Sequence, residues 1–369
     1  MAAADDIARI ESCIRNQLDH RAIGTKQLVG VIGDSPSRYS KSPSLWNAAF
    51  RALKMKTVYV ALDVDEGQLP ALIAAVRESG RLLGLQVTVP HKVAVINHLD
   101  ALDANATKIA AVNTIVRSQD GRLIGSNTDG EGFLQSLLIP QPGQPSPFIE
   151  SLKGTEALIL GAGGSARAVA FALAEKLEGG RLLISNRSHE SAASLVAEIS
   201  KSHSNVNAIG EDEIPERAPG VELIVNCTTK GQGGMRQSPA GFTTLEPYSA
   251  LAPAHPATLR EARKEAAFYR DWLSASLADI EANNRASWEL ALLIPPKVGF
   301  CDLVYHPEET VFLRHGRLSG HRALNGKGMI VAQAVEAFFN HICRPYLKRA
   351  KLYRPETQRR LLEIMAKAW

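Results

Sequence analysis

Apolar residues recur along this chain with two alternating periods, and that alternation predicts its architecture. Leu28 to Gly33 is a short apolar run closed by glycine, the pattern of a buried strand. Trp46, Ala49, Phe50 and Leu53 then fall at i, i+3, i+4 and i+7, the stripe of an amphipathic helix that follows Pro43. Val58, Val60 and Leu62 alternate, so Thr57 to Leu62 reads as a second strand. Leu69, Leu72, Ile73 and Val76 return to the helical period. The strand Leu83 to Val89, a helix from Asp103 to Ala110 and the strand Val112 to Val116 follow. Helices interleaved with strands in this way predict an α/β sheet.

Pro140, Pro142, Pro145 and Pro147 then cluster, removing backbone donors and disfavouring helix, which marks a boundary loop or linker. Beyond it the alternation restarts: strand Ala157 to Leu160, helix Ala166 to Leu177, strand Arg181 to Ser185, helix Glu190 to Ser200. Later strands are expected at Glu222 to Asn226 and Gly299 to Val304. Between them, from about Gly231 to Lys297, the chain reads as one long, charged, proline-containing helical segment without an assignable motif. Ile330, Val331, Ala334, Val335, Phe338 and Phe339 form a strong closing stripe. Ile7, Ile10, Ile14 and Leu18 suggest a leading helix.

A chain of 369 residues exceeds the usual size of one hydrophobic core, so two domains are expected. Its 45% apolar and 22% charged residues are ordinary for a soluble globular protein. A net charge of +4 without a Lys/Arg block argues against nucleic acid as a partner; Lys348-Arg349-Ala350-Lys351 reads as a solvated helix face. No apolar run reaches membrane-spanning length. Asp5, Asp6, Glu11 and Asp19 fit neither a secretory signal nor an organelle transit peptide. Cys13, Cys227, Cys301 and Cys343 are widely separated, so neither a metal site nor a disulfide framework is expected. The expectation is a cytoplasmic protein, monomeric or homodimeric, with a small-molecule partner.

Two short motifs carry candidate acid–base chemistry. Lys92 closes Gln86-Val87-Thr88-Val89-Pro90-His91-Lys92, and Asp129 sits in Ser126-Asn127-Thr128-Asp129-Gly130. A cation and a carboxylate on two polar turns suit proton transfer at a hydroxyl or carbonyl. Further on, Gly161-Ala162-Gly163-Gly164-Ser165-Ala166 lies between a predicted strand and helix. Gly161 permits a tight turn, Gly163 lets backbone approach a pyrophosphate, and Ala166 allows helix to pack closely on strand. The next strand ends in Asn186-Arg187-Ser188, where an arginine suits the 2′-phosphate of NADP. A surface arginine is the plainer reading, and Glu190 nearby keeps NAD open. Tyr39-Ser40-Lys41-Ser42-Pro43 places two hydroxyls before a helix, suited to a carboxylate. By itself, Ser42 reads as the cap of that helix, with Pro43 in its first position.

Taken in order, Ser40 to Pro43, Val87 to Lys92, Ala111 to Thr114, Asn127 to Gly130, Gly161 to Ala166, Asn186 to Ser188 and Gly326 to Ala334 resemble the shikimate dehydrogenase family. The resemblance implies an α/β substrate domain, residues 1–135, with helices of 326–369 returning to it. It also implies a Rossmann-type NADP domain, residues 150–325, here with an unusual insertion at about 231–297. The implied activity is NADPH-dependent reduction of 3-dehydroshikimate to shikimate. Lys92 and Asp129 would be the catalytic pair. Ser40 and Ser42, helped by Tyr305, would hold the substrate carboxylate, and Thr88, Asn113 and Gln333 the ring hydroxyls. The glycine turn and Asn186, Arg187 and Ser188 would hold the cofactor, with Leu303 and Gly326 beside its nicotinamide.

Two positions depart from the family pattern. Gln86 stands where the family usually has Asn, and its extra methylene is expected to push the amide further into the site or to shift the substrate. Shikimate, quinate and an amino analogue therefore all stay open as the substrate. Ser191 stands where a second basic residue is usual, which relaxes the expected preference for NADP over NAD. Rival readings are a quinate or quinate/shikimate dehydrogenase using NAD and a non-catalytic shikimate sensor. The sensor reading would be expected to lack Lys92 or Asp129.

Overall fold

Two sheets, one in each of two units, organise the chain. The computed structural model describes residues 2–238, 240–260 and 265–369. The first unit comprises Met1–Ser136, Pro140–Pro145 and Gly328–Trp369; the second comprises Leu137–Ile139 and Ser146–Lys327.

The first unit is built on strands β1 (Gln27–Gly33), β2 (Thr57–Asp63), β3 (Leu82–Val87), β4 (Ala101–Leu102), β5 (Thr114–Arg117) and β6 (Leu123–Ser126). They lie in the order β2-β1-β3-β5-β6-β4. β1 is parallel to β2 and β3, whereas β3–β5 and β5–β6 are antiparallel. β1 is apolar almost throughout because both faces of the sheet are covered. Ile7, Ile10, Leu69, Leu72 and Val76 belong to the core on one face. On the other, Trp46 and Phe50 pack with Val331, Phe338 and Leu361, so the last helices return to the sheet begun by the first strands. Phe338 lies 5.2 Å from Trp46 and 5.4 Å from Phe50, ring centre to ring centre. Full burial of such a ring contributes about 1.5–3 kcal/mol.

Several boundaries differ from the periodicity. The helix Asp129–Leu138 is not foreshadowed by propensity, since Gly130 and Gly132 weaken its first turn. β4 and β6 are too short, and β6 too glycine-interrupted, to show a clear period. β5 starts at Thr114 rather than Val112, because the Val112 amide donates to the Lys92 carbonyl instead of to a strand.

The second unit holds β7 (Glu156–Leu160), β8 (Arg181–Ser185), β9 (Val206–Ile209), β10 (Leu223–Asn226), the hairpin β11 (Arg236–Ser238) and β12 (Gly241–Thr243), β13 (Gly299–Asp302) and β14 (Ala323–Leu324). Its main sheet runs β14-β13-β10-β7-β8-β9, with parallel pairing throughout. Numbered from β7, and leaving out the hairpin, that is the 3-2-1-4-5-6 order of a dinucleotide-binding sheet. Residues 231–297 are not one helical segment. The hairpin and an irregular stretch come first, and only then the helix Glu265–Leu293. Asn283 fastens that helix to the stretch: it accepts from the Ser249 amide at 2.8 Å and donates to the carbonyls of Ser249, Ala252 and Pro253. Tyr248, Ala254, Phe268 and Trp272 form a small core beneath it. No helix of the described residues is long and apolar enough to cross a membrane.

Candidate active site

Lys92 and Asp129 meet in the first unit. Lys92 lies just past β3, and Asp129 opens the helix Asp129–Leu138. The Lys92 ammonium donates to Asp129 Oδ2 at 2.6 Å, and the two side chains are 11% and 5% exposed. Such limited contact with water strengthens the attraction between opposite charges. Asp129 Oδ1 accepts from Asn113 Nδ2 at 2.7 Å, and the Asp129 amide donates to Asn127 Oδ1 at 3.0 Å. The carboxylate is thus fixed at both oxygens, in an orientation that leaves the ammonium beside it.

A buried polar network continues from this pair. The Asn113 amide also donates to Thr128 Oγ1 at 3.0 Å, and its carbonyl oxygen accepts from the Thr128 backbone amide at 2.9 Å. Thr128 Oγ1 donates to the Gln333 carbonyl at 3.2 Å, which joins the helix Lys327–Glu336 to the site. Gly132 lets that helix approach: a Cβ there would lie 2.7 Å from the Gln333 nitrogen. Any side chain at 132 would push Gln333 away.

Gln86, whose length was expected to push its amide further into the site or to shift the substrate, has that amide tied down on both sides. Its carbonyl oxygen accepts from Trp46 Nε1 at 3.1 Å and from the Tyr59 hydroxyl at 3.0 Å. Its Nε2 donates to Gln333 Oε1 at 2.9 Å, and the residue is only 4% exposed. Burial raises the Tyr59 phenol well above its ordinary pKa, with a hydrogen bond involving Ser42 acting in the opposite direction. Ser42 is not the helix cap: it is the first residue of the helix Ser42–Ala52, whose N-cap position is Lys41. Ser40 Oγ instead accepts from the Ser42 amide at 3.2 Å. Thr88 follows β3 and is half-buried, its amide donating to the Ile32 carbonyl at 2.9 Å.

The second unit carries the glycine turn. Gly161 has φ +117°, and a Cβ there would lie 3.1 Å from the Cys227 backbone, so both conformation and space call for glycine. Gly163 precedes the helix Gly164–Lys176 and has open space around its Cα, so a ligand's phosphates could reach backbone there. No side chain caps that helix, and its first N–H groups face the end where anions are stabilised. Ala162 and Ser165 complete the turn, and Ala166 is fully buried against the sheet. Arg187 is exposed, two residues beyond the Ser185 whose carbonyl accepts from the Gly161 amide. Asn186 Nδ2 donates to the Ser188 carbonyl at 3.1 Å, and Ser188 caps the helix His189–Ile199. The open turn and uncapped helix start could hold a dinucleotide's phosphates, and Arg187 is an exposed cation on the neighbouring strand end.

Leu303 and Gly326 touch: a Cβ on Gly326 would sit 2.1 Å from the Leu303 carbonyl oxygen. Tyr305, two residues beyond Leu303, lies in the same unit, half-buried. Asp302 organises this corner, accepting from Asn226 Nδ2 and the Val304 amide, both at 2.9 Å, and from Thr310 Oγ1 at 2.7 Å. Burial pushes its carboxyl up to about 7, against the lowering effect of those three hydrogen bonds.

Trp46, Tyr59, Asn127 and Gly132 were not expected to act at the site. Trp46 lay on a helix stripe and read as core, and Tyr59 lay in a strand. Hydrophobic period signals burial and gives no sign of a polar atom's partner. Gly132 offered one signal, a second glycine two residues after Gly130.

Two family models match the chain: residues 31–115 fit "Shikimate dehydrogenase substrate binding domain", and residues 146–237 fit "Shikimate / quinate 5-dehydrogenase". A relative from Symbiobacterium thermophilum, shikimate dehydrogenase (NADP(+)), is 36% identical over 85% of this chain and 88% of its own length. Another of the same name, from Moorella thermoacetica, is 35% identical over 84% and 86%. Among solved structures, a shikimate dehydrogenase in complex with NADP+ has a TM-score of 0.64 at 27% identity and covers 96% of each chain. The shikimate 5-dehydrogenase of Thermus thermophilus, solved with NADP(H) and shikimate, has a TM-score of 0.61 at 26% identity, covering 93% of this chain and all of its own.

Proposed function

The chain belongs to the shikimate dehydrogenase family, and on that premise we propose that it catalyses the reversible NADPH-dependent reduction of 3-dehydroshikimate to shikimate. The observation that carries this reading is the Lys92–Asp129 pair at 2.6 Å, held by Asn113 in a buried network with Thr128 and Gln333. NADPH, when bound along the Gly161–Ala166 turn with Arg187 at its 2′-phosphate, supplies the hydride. Lys92 stabilises the oxygen that gains charge at the reduced carbon and donates the proton to it. Asp129 orients the ammonium, and Asn113 orients Asp129. In the oxidative direction the same pair accepts the hydroxyl proton. Ser40, Ser42 and Tyr305 take the substrate carboxylate, and Thr88, Asn113 and Gln333 the ring hydroxyls. All four cysteines are free, which suits a reducing compartment, and we assign the protein to the cytoplasm as a monomer or homodimer.

Initial rates with shikimate and with quinate, each with NAD and with NADP, test the reading. Shikimate with NADP is expected to give the largest kcat/KM. A larger value for quinate with NAD would make the protein a quinate dehydrogenase. No oxidation of either acid with either cofactor would refute the assignment.

A further inference from the structure

The Gln86 carboxamide is held in one orientation by three side chains, one of which, the Trp46 indole, cannot reverse its role. Trp46 Nε1–H can only donate, and it donates to Gln86 Oε1 at 3.1 Å. The Tyr59 hydroxyl donates to the same oxygen at 3.0 Å, so both lone pairs of that oxygen are used. On the other side Gln86 Nε2 donates to Gln333 Oε1 at 2.9 Å. A flipped amide would set NH2 against the indole N–H and oxygen against oxygen at Gln333. Trp46, Tyr59 and Gln86 are all buried, so water cannot compensate such a mismatch. One Nε2 hydrogen remains, with no protein partner among the described residues. From Gln333 the network runs on through Asn113, which is 3.4 Å from Gln333 Oε1, to Asp129 and Lys92.

We propose that Trp46 and Tyr59 are positioning residues that set the specificity of this site, by locking Gln86 so that it presents N–H and never carbonyl oxygen to the substrate. The proposal rests on the substrate site assigned above and narrows what that site accepts. A group that can only donate recognises an oxygen acceptor, a ring hydroxyl or ketone. It rejects an ammonium at the same place, because neither partner has a lone pair to offer. The site thereby selects hydroxylated ring acids over analogues that carry an amine where the hydroxyl stands.

The test compares shikimate with its analogue bearing an amino group in place of one ring hydroxyl, in wild type, Tyr59→Phe, Trp46→Phe and the double variant. Wild type should favour shikimate. Each single variant should lower the ratio of the two kcat/KM values, and the double variant by at least tenfold, through KM with kcat for shikimate little changed. A ratio unchanged in folded Tyr59→Phe and Trp46→Phe overturns the lock. A wild type that prefers the amine overturns it as well. Should the double variant not fold, Tyr59→Phe alone decides, since it removes a single hydroxyl. The side-chain amide signals of Gln86 in 15N-glutamine-labelled protein give a second readout: they should show slow hydrogen exchange in wild type and faster exchange in Tyr59→Phe, and equal rates overturn the lock. Failure of the lock is distinct from failure of the assigned activity, for which wild type would not oxidise shikimate at all.

Discussion

At the scale of single residues, Lys92 bears the largest expected effect. Lys92→Ala removes the proposed proton donor, and its turnover is expected to fall by about 10²- to 10⁴-fold, the usual contribution of a positioned acid or base. NADP binding, measured by fluorescence titration, should survive, because the phosphate turn lies in the other unit. Full turnover in the variant would remove Lys92 from the mechanism. Arg187→Ala should weaken NADP by about 10- to 100-fold, the worth of a charge-assisted phosphate contact, and leave NAD almost unaffected. Equal loss with both cofactors would show that Arg187 does not read the 2′-phosphate. Lys92, Asp129 and Arg187 stand out in the sequence because their motifs are local, each set in a few consecutive residues, and the structure pairs the first two. Trp46, Tyr59 and Gly132 do not stand out, because their meaning lies in what they approach: an amide on β3, and a helix some two hundred residues away.

At the scale of elements, the end of β13 carries a dependence on pH. Burial lifts the Asp302 carboxyl to about 7, while in the unfolded chain it titrates near the ordinary value of about 3.9. Between those values the folded state holds a proton that the unfolded state has released. The stability contributed by the group is therefore complete at low pH and is lost as pH rises from about 4 to about 7. Asp302→Asn removes that titration, and its amide can still donate to Thr310 Oγ1 while its oxygen accepts from Asn226 and Val304. Relative to wild type, the urea midpoint of Asp302→Asn should improve steadily across this window; an unchanged difference would contradict the assignment. Long strands and helices were readable because burial on a fixed period leaves a strong pattern. The two-residue β4, the helix weakened by Gly130 and Gly132, and the hairpin within 231–297 left little, since their stability comes from neighbours rather than from their own residues.

At the scale of the whole molecule, the first unit is assembled from distant parts of the chain. Residues Gly328–Trp369 cover one face of a sheet whose strands all precede residue 127, and Phe338 sits between Trp46 and Phe50. Phe338→Ala should cost about 3–5 kcal/mol, the range for a large buried ring. Urea unfolding followed by the fluorescence of tryptophans in this unit, Trp46 and Trp369, would register it, and a loss below about 1 kcal/mol would deny the ring its place in the core. This closure was anticipated from the family pattern and not from the period of the closing stripe, which marks an apolar face without saying what it covers. The interrupted layout also imposes an order on biosynthesis. Ribosomes complete every residue of the second unit before they reach Gly328, so the nucleotide-binding half can finish folding on the emerging chain. Throughout that interval Trp46 and Phe50 wait without their cover and Asn113 and Thr128 without Gln333. A nascent chain stalled at Lys327 would hold its cofactor turn intact and its catalytic unit unfinished, its uncovered apolar face a target for chaperones.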